Sequence, residues 1–348
     1  MSEKLVPGLI AGNLSSIAVA ALFLLGGRPG GLPVGAWGGR DVGTSTLPAP
    51  VAAIERVERT LAGLPKHAGV RAEFATRASD RFSLVSDLSD VDADRLLATL
   101  ERTADAVQGL AQDLGVEARP LREQLLSVAF SQRSQFERFA KSTDKIDATW
   151  MSGYWAPGAD RIVFRADFRA SDAQERRARG KLGVLASASA TGEATVAHEA
   201  AHQLLHRIGV QRRSANAPLW ISEGLAIAFE PCAGDAREAF APQPERDVRV
   251  AAAIRDGKAY SLAALVASPR LLDRDAARVD LFYDQAWSVT RWLMTERHDA
   301  FAHYLTLLRE QAGTLNARRN LELFETAFGS STEIERAWRA ASSPSGVR

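Results

Sequence analysis

Residues 195 to 205 read Thr-Val-Ala-His-Glu-Ala-Ala-His-Gln-Leu-Leu, with the two histidines four positions apart. No other feature constrains the fold as tightly. An α-helix brings residues four apart onto one face, one turn above the other, so a helical stretch lets His198 and His202 reach a single ion. Val196, Ala197, Ala200, Ala201, Leu204 and Leu205 are apolar, which lets this helix be buried while one polar face is kept for chemistry. Glu199 follows the first histidine and projects beside the pair. H-E-x-x-H on a helix is the pattern of a zinc-dependent hydrolase, with two imidazoles on the ion and the glutamate acting on a water.

A pentapeptide can arise by coincidence, and a third ligand decides the matter. Trp220-Ile221-Ser222-Glu223-Gly224-Leu225-Ala226 starts a second helix, and Glu223 stands 21 positions after His202. A loop and a turn of helix in that interval can return a carboxylate to the ion. Two histidines and one glutamate leave a fourth zinc position open, as a catalytic site requires. Cys232 is the single cysteine, so an intramolecular disulfide and a thiolate cluster are both excluded, and any metal is held by imidazole and carboxylate. Other metal chemistries fail on residues. A metzincin pattern needs Gly and His where Leu205 and Ile208 stand. A di-iron carboxylate bundle needs a second Glu-x-x-His helix, which the sequence lacks.

Charge narrows the partners. The 348 residues carry 43 basic and 42 acidic side chains, a net charge of +1, which gives no support to a nucleic-acid partner. Small basic groups, such as Arg176, Arg177 and Arg179 or Arg212 and Arg213, read as solvated faces. At the N-terminus, Lys4 precedes an apolar run from Leu9 to Leu25, and Gly26-Gly27-Arg28-Pro29-Gly30-Gly31 follows. Residues 1–27 are therefore expected to be an export signal or a membrane anchor. The dense apolar part, Ile17 to Leu25, is short for a membrane span. Residues 28–50 read as a linker. Export to the periplasm or the extracellular space follows, with N-terminal anchoring as the alternative and a buried helix as the plain one.

Periodicity divides the rest. Helices are expected over Val51 to Leu64, Asp90 to Leu114 (capped by Asp90 and ended by Gly115) and Ser131 to Phe139. Strands are expected within Arg71 to Leu88, over Leu125 to Phe130 and over Arg161 to Arg165, with Gly153 to Gly158 as a turn. After about Ala170 the pattern is helical: Ala190 to Ile208, Leu219 to Phe229, Arg246 to Ile254, Phe282 to Met294, Ala300 to Leu308, Leu321 to Phe328 and Thr332 to Ala341. The fold class is α+β. A small mixed α/β layer over 51–170 precedes a mainly helical half over 171–345 that carries the H-E-x-x-H helix.

The motif from His198 to His202, followed by Trp220 to Ala226, resembles the gluzincin metallopeptidases and most resembles their peptidase MA-like branch. Gly153-Tyr154-Trp155, the strand Arg161 to Phe164 and Tyr283-Asp284-Gln285-Ala286-Trp287-Ser288 are similar to that branch too. The likeness runs from roughly Val70 to Leu308. It implies a zincin-like fold, one zinc ion on His198, His202 and Glu223, Glu199 as general base, and a peptide or protein substrate. It also makes Tyr283 the first candidate for oxyanion donor, against a plain core or surface tyrosine. Strand Arg161 to Phe164 is either a docking edge for an extended peptide or an ordinary sheet strand. Two departures stand out. Several gluzincins carry an acidic or amide residue one turn after the glutamate ligand, where this chain has Ile227, and Glu230 is the available substitute. A Gly-x-Met-Glu-Asn-like motif is missing, which argues against an aminopeptidase. The competing function is a catalytically inactive binding module of the same fold, tethered at the cell surface. His206, His298, His303, Trp287, Trp292 and Cys232 read as packing or surface residues.

Overall fold

The computed structural model describes residues 47–63, 73–149, 151–166, 192–212, 217–233, 238–311 and 315–342. The expected export segment and most of the expected linker lie outside these residues, as do the arginines of 176–179. Among the described residues no helix is long and apolar enough to cross a membrane.

The chain opens with α1 (Val51–Ala62) and a hairpin of β1 (Ala75–Ala78) and β2 (Phe82–Ser86). Then come α2 (Asp90–Asp113), β3 (Leu125–Phe130), α3 (Arg133–Phe139) with a π turn over Ala140–Asp144, β4 (Gly153–Ala156) and β5 (Arg161–Arg165). The five strands form one sheet in the order β1-β2-β3-β5-β4. The inner strands β2, β3 and β5 run parallel, while β1 and β4 are antiparallel edges. Every residue of β2 and β3 is buried, as in inner strands covered on both faces, and for β3 this explains its continuous apolar run.

Leu84, Ala129 and Ile162 on one face of the sheet pack with α2 and the H-E-x-x-H helix in a core that continues into the helical half. Val85, Val128 and Val163 on the other face pack against Ile54, Val57, Phe136 and Phe139. The remaining elements are helical: α4 (Gly192–Arg207), α5 (Leu219–Phe229), α6 (Pro244–Arg255), α7 (Leu262–Ala267), α8 (Ala276–Glu296), α9 (His298–Glu310), α10 (Ala317–Phe328) and α11 (Ser331–Ser342). The molecule is thus the expected α+β arrangement, a five-stranded sheet followed by a mostly helical half.

Several local expectations need correction. Gly153 to Ala156 is a strand, and only the stretch after it turns. Its glycine marks close packing instead of a turn, since a Cβ at Gly153 would meet Thr195 Cγ2 at 3.1 Å and Phe164 Cβ at 3.2 Å. Because β4 takes the edge, β5 lies inside the sheet between β3 and β4, so Arg161 to Phe164 is the ordinary sheet strand and cannot accept an added one. The cap of α2 is Ser89, whose hydroxyl accepts from the Asp92 N–H at 3.2 Å. Asp90 instead places its charge in the positive first turn. Gly115, at φ 63°, ends the helix as expected. Helix α7 escaped the periodicity, being six residues long.

One crossing fixes the site's geometry. Helix α5 packs directly on α8 at Gly224, where a Cβ would overlap the Thr290 hydroxyl and sit 2.6 Å from the Ala286 carbonyl oxygen.

Candidate metal centre

Helix α4 presents His198, Glu199 and His202 on one buried face, respectively 4%, 1% and 0% exposed. Helix α5 begins after Pro218, so its second turn delivers Glu223, also fully buried, to the same point. His198 Nε2 lies 3.2 Å from His202 Nε2 and 3.4 Å from Glu223 Oε2, and His202 Nε2 is 3.7 Å from that oxygen. Three ligands held about 2.0–2.1 Å from a tetrahedral ion stand about 3.4 Å from one another. The side chains therefore sit at the spacing that such an ion imposes. Both Glu223 oxygens are buried without a hydrogen-bond donor, a costly state that a cation resolves. The group His198, His202 and Glu223 could hold a metal ion.

Charge around the triad is arranged in depth. His198 turns Nδ1 to Glu230, whose Oε1 accepts at 3.1 Å. Arg246 donates from one nitrogen to Glu230 at 2.9 Å and from another to Asp284 at 2.8 Å. Arg249 completes the row with 2.5 and 2.8 Å bonds to Asp284. A carboxylate on Nδ1 fixes the imidazole's orientation and leaves Nε2 for the ion. His202 is steadied differently, with Ser222 Oγ 3.4 Å from its Nδ1 and the Trp155 ring stacked at 6.4 Å.

The titration of these groups follows. Burial lowers the His198 pKa, but the adjacent carboxylates of Glu223 and Glu230 outweigh it and raise it to about 10. Burial raises Glu223, yet the neighbouring His202 and His198 bring it down to about 2. Glu199 is raised, chiefly by burial, against the pull of the two histidines and the Trp155 backbone N–H. Its Oε2 has no partner. Tyr283 on α8 is 3% exposed with an unpartnered hydroxyl. Burial and then the charges of Glu223 and Glu199 hold its pKa well above the usual value, so it stays a donor.

Every sequence-derived site residue therefore falls in this region, the triad converging and Glu199 and Tyr283 within electrostatic reach of it. Glu230 takes the place for which it was the available substitute. His206 stacks on Trp155 at 4.8 Å, and His298 and His303 are at the surface. Sequence reasoning missed Arg246, Arg249 and the role of Asp284, although Asp284 lies inside the run Tyr283 to Ser288. Two arginines a turn and more from any motif gave no signal by spacing. Residues 193–313, about a third of the chain, match the model of a family described as a protein of unknown function, DUF1570. No curated protein matches. The matched span holds the triad, Glu199, Glu230, Arg246, Tyr283 and Asp284, and leaves out the sheet.

Proposed function

We propose that this chain is an exported zinc metallopeptidase of the gluzincin type. The observation that carries the reading is the 3.2–3.7 Å convergence of two imidazoles and one carboxylate beside the Glu199 carboxyl. Two His and one Glu are a donor set suited to zinc with an open position. A zinc ion held by His198, His202 and Glu223 would polarise a scissile carbonyl and lower the pKa of water to about 7.

The chain's own groups do the rest. Glu199 takes a proton from the water that attacks the carbonyl carbon, and its raised pKa suits it to keep that proton and pass it to the departing amine nitrogen. The Trp155 N–H on Glu199 holds the carboxyl in place. Tyr283 donates its hydroxyl proton in a hydrogen bond to the oxyanion of the tetrahedral intermediate. Glu230, held by Arg246, keeps His198 oriented.

The test compares wild type with Glu199→Gln for metal content and for cleavage of casein and a peptide library. Zinc in both proteins with cleavage by wild type alone is the expected result. Zinc in both with no cleavage by either replaces the peptidase with the binding module.

A further inference from the structure

A cleft opens beside the loop from α4 to α5. His202 turns Nε2 to Glu223 and Nδ1 to Ser222, and Ser222 lines the cleft. The cleft is therefore one imidazole away from the metal centre and separate from it. Its wall is largely apolar, with Leu219, Leu305 and Leu308 in it, and among the described residues it includes Arg212 and Arg309 but no carboxylate.

Three polar features define what fits. Arg309 is half-buried and has no ion pair or hydrogen bond among the described residues. Arg212 gives one N–H to the Gln311 carbonyl at 3.0 Å and keeps its other donors. Gln211 donates Nε2 to the Ile221 carbonyl at 3.5 Å, which assigns its other end as the oxygen, and that Oε1 is buried without a donor. The cations call for an anion, the orphan oxygen calls for an N–H, and the wall calls for an apolar body.

We propose that this cleft binds the C-terminal residue of a peptide, one bearing an apolar side chain. The carboxylate pairs with Arg309 and Arg212, the amide N–H of the same residue donates to Gln211 Oε1, and the side chain lies among the leucines. A fatty acid supplies the anion and the apolar body but lacks the N–H, which is why the peptide terminus is favoured. The assignment does not depend on the metal reading.

Calorimetry on the full chain tests it, with N-acetyl-leucine, N-acetyl-leucinamide and octanoate as probes. N-acetyl-leucine is expected to bind at least about tenfold more tightly than the other two. Arg309→Gln should lose about tenfold of that affinity, and Arg309→Lys, which keeps the charge, should retain most of it. Equal binding of the amide, equal binding of octanoate, indifference to Arg309→Gln, or no heat up to about 10 mM N-acetyl-leucine each overturns the proposal. Indifference to Arg309→Gln also places the carboxylate elsewhere, including on a metal.

Discussion

Among the described residues, two buried charged clusters, one in the sheet half and one between α4, α5 and α8, are built on opposite rules. In the first, Asp144 accepts from Arg161 at 2.5 Å on one oxygen and from the Tyr154 hydroxyl at 2.8 Å on the other. Each carboxylate oxygen has its donor, so the anion is satisfied, although Arg161 Nε is buried without an acceptor. In the second, Glu223 is as deeply buried but neither oxygen has a donor, and one oxygen of Glu199 lacks one too. Glu199, Glu223, Glu230 and Asp284 there face two arginines, so the cluster has a surplus of negative charge into which a cation fits. A satisfied buried cluster is architecture. An unsatisfied one, at ligand spacing, is a place where something else binds.

The comparison can be broken at either end, and the largest effect is expected in the open cluster. Glu199→Gln should lower kcat by roughly 10³-fold, within the range of general-base losses, while zinc content measured by mass spectrometry stays at one per chain. Loss of the zinc together with the activity would show Glu199 to be a ligand and not the base. Next comes the closed cluster. Arg161→Met should cost about 3–5 kcal/mol in denaturant unfolding, because it strands the Asp144 charge. A chelator should leave that loss unchanged, whereas a chelator-dependent loss would tie the two clusters together.

A smaller effect sharpens the contrast inside the open cluster. Arg246→Met should weaken zinc binding about 10–100-fold in a competition titration, by releasing the carboxylate that orients His198. Unchanged zinc affinity would reduce the Arg246 row to a structural ion pair like that of Asp144. The smallest effect concerns Asp280, pushed up to about 6 by partial desolvation and then by the charge of Asp284. A carboxyl so raised binds its proton more tightly when folded. The stability it confers is therefore complete below pH 3.8 and lost as pH rises through about 6. Asp280→Asn should raise the unfolding free energy at pH 7 but not at pH 4, by under about 1 kcal/mol after solvent screening. A gain of equal size at both pH values would remove its electrostatic origin.

The contrast also explains what the sequence made legible. The candidate metal ligands announced themselves because one helix must place two of them a fixed turn apart, and the α+β class followed from where strand periodicity gave way to helical periodicity. Gly153 misled because glycine marks close packing as well as turns, and only the position of Thr195 and Phe164 in space separates the two uses. The edge position of β4 was likewise hidden, since strand order is decided by crossovers and not by the composition of any one strand. Arg246 and Arg249 stayed invisible because a long side chain can meet a partner from many backbone positions, so no interval in the chain betrays it.

Gly224 sits directly after Glu223 of the candidate metal group and faces Ala286 and Thr290, three and seven residues beyond Tyr283. Because a hydrogen atom stands where other residues carry a methyl, the backbones of two helices touch there, and the carboxylate and the phenol are registered by main chain instead of by flexible side chains. Adding that methyl would act as a spacer driven between them. It would part the ion's anchor from the hydroxyl assigned to the developing charge, and so separate holding a metal from using it.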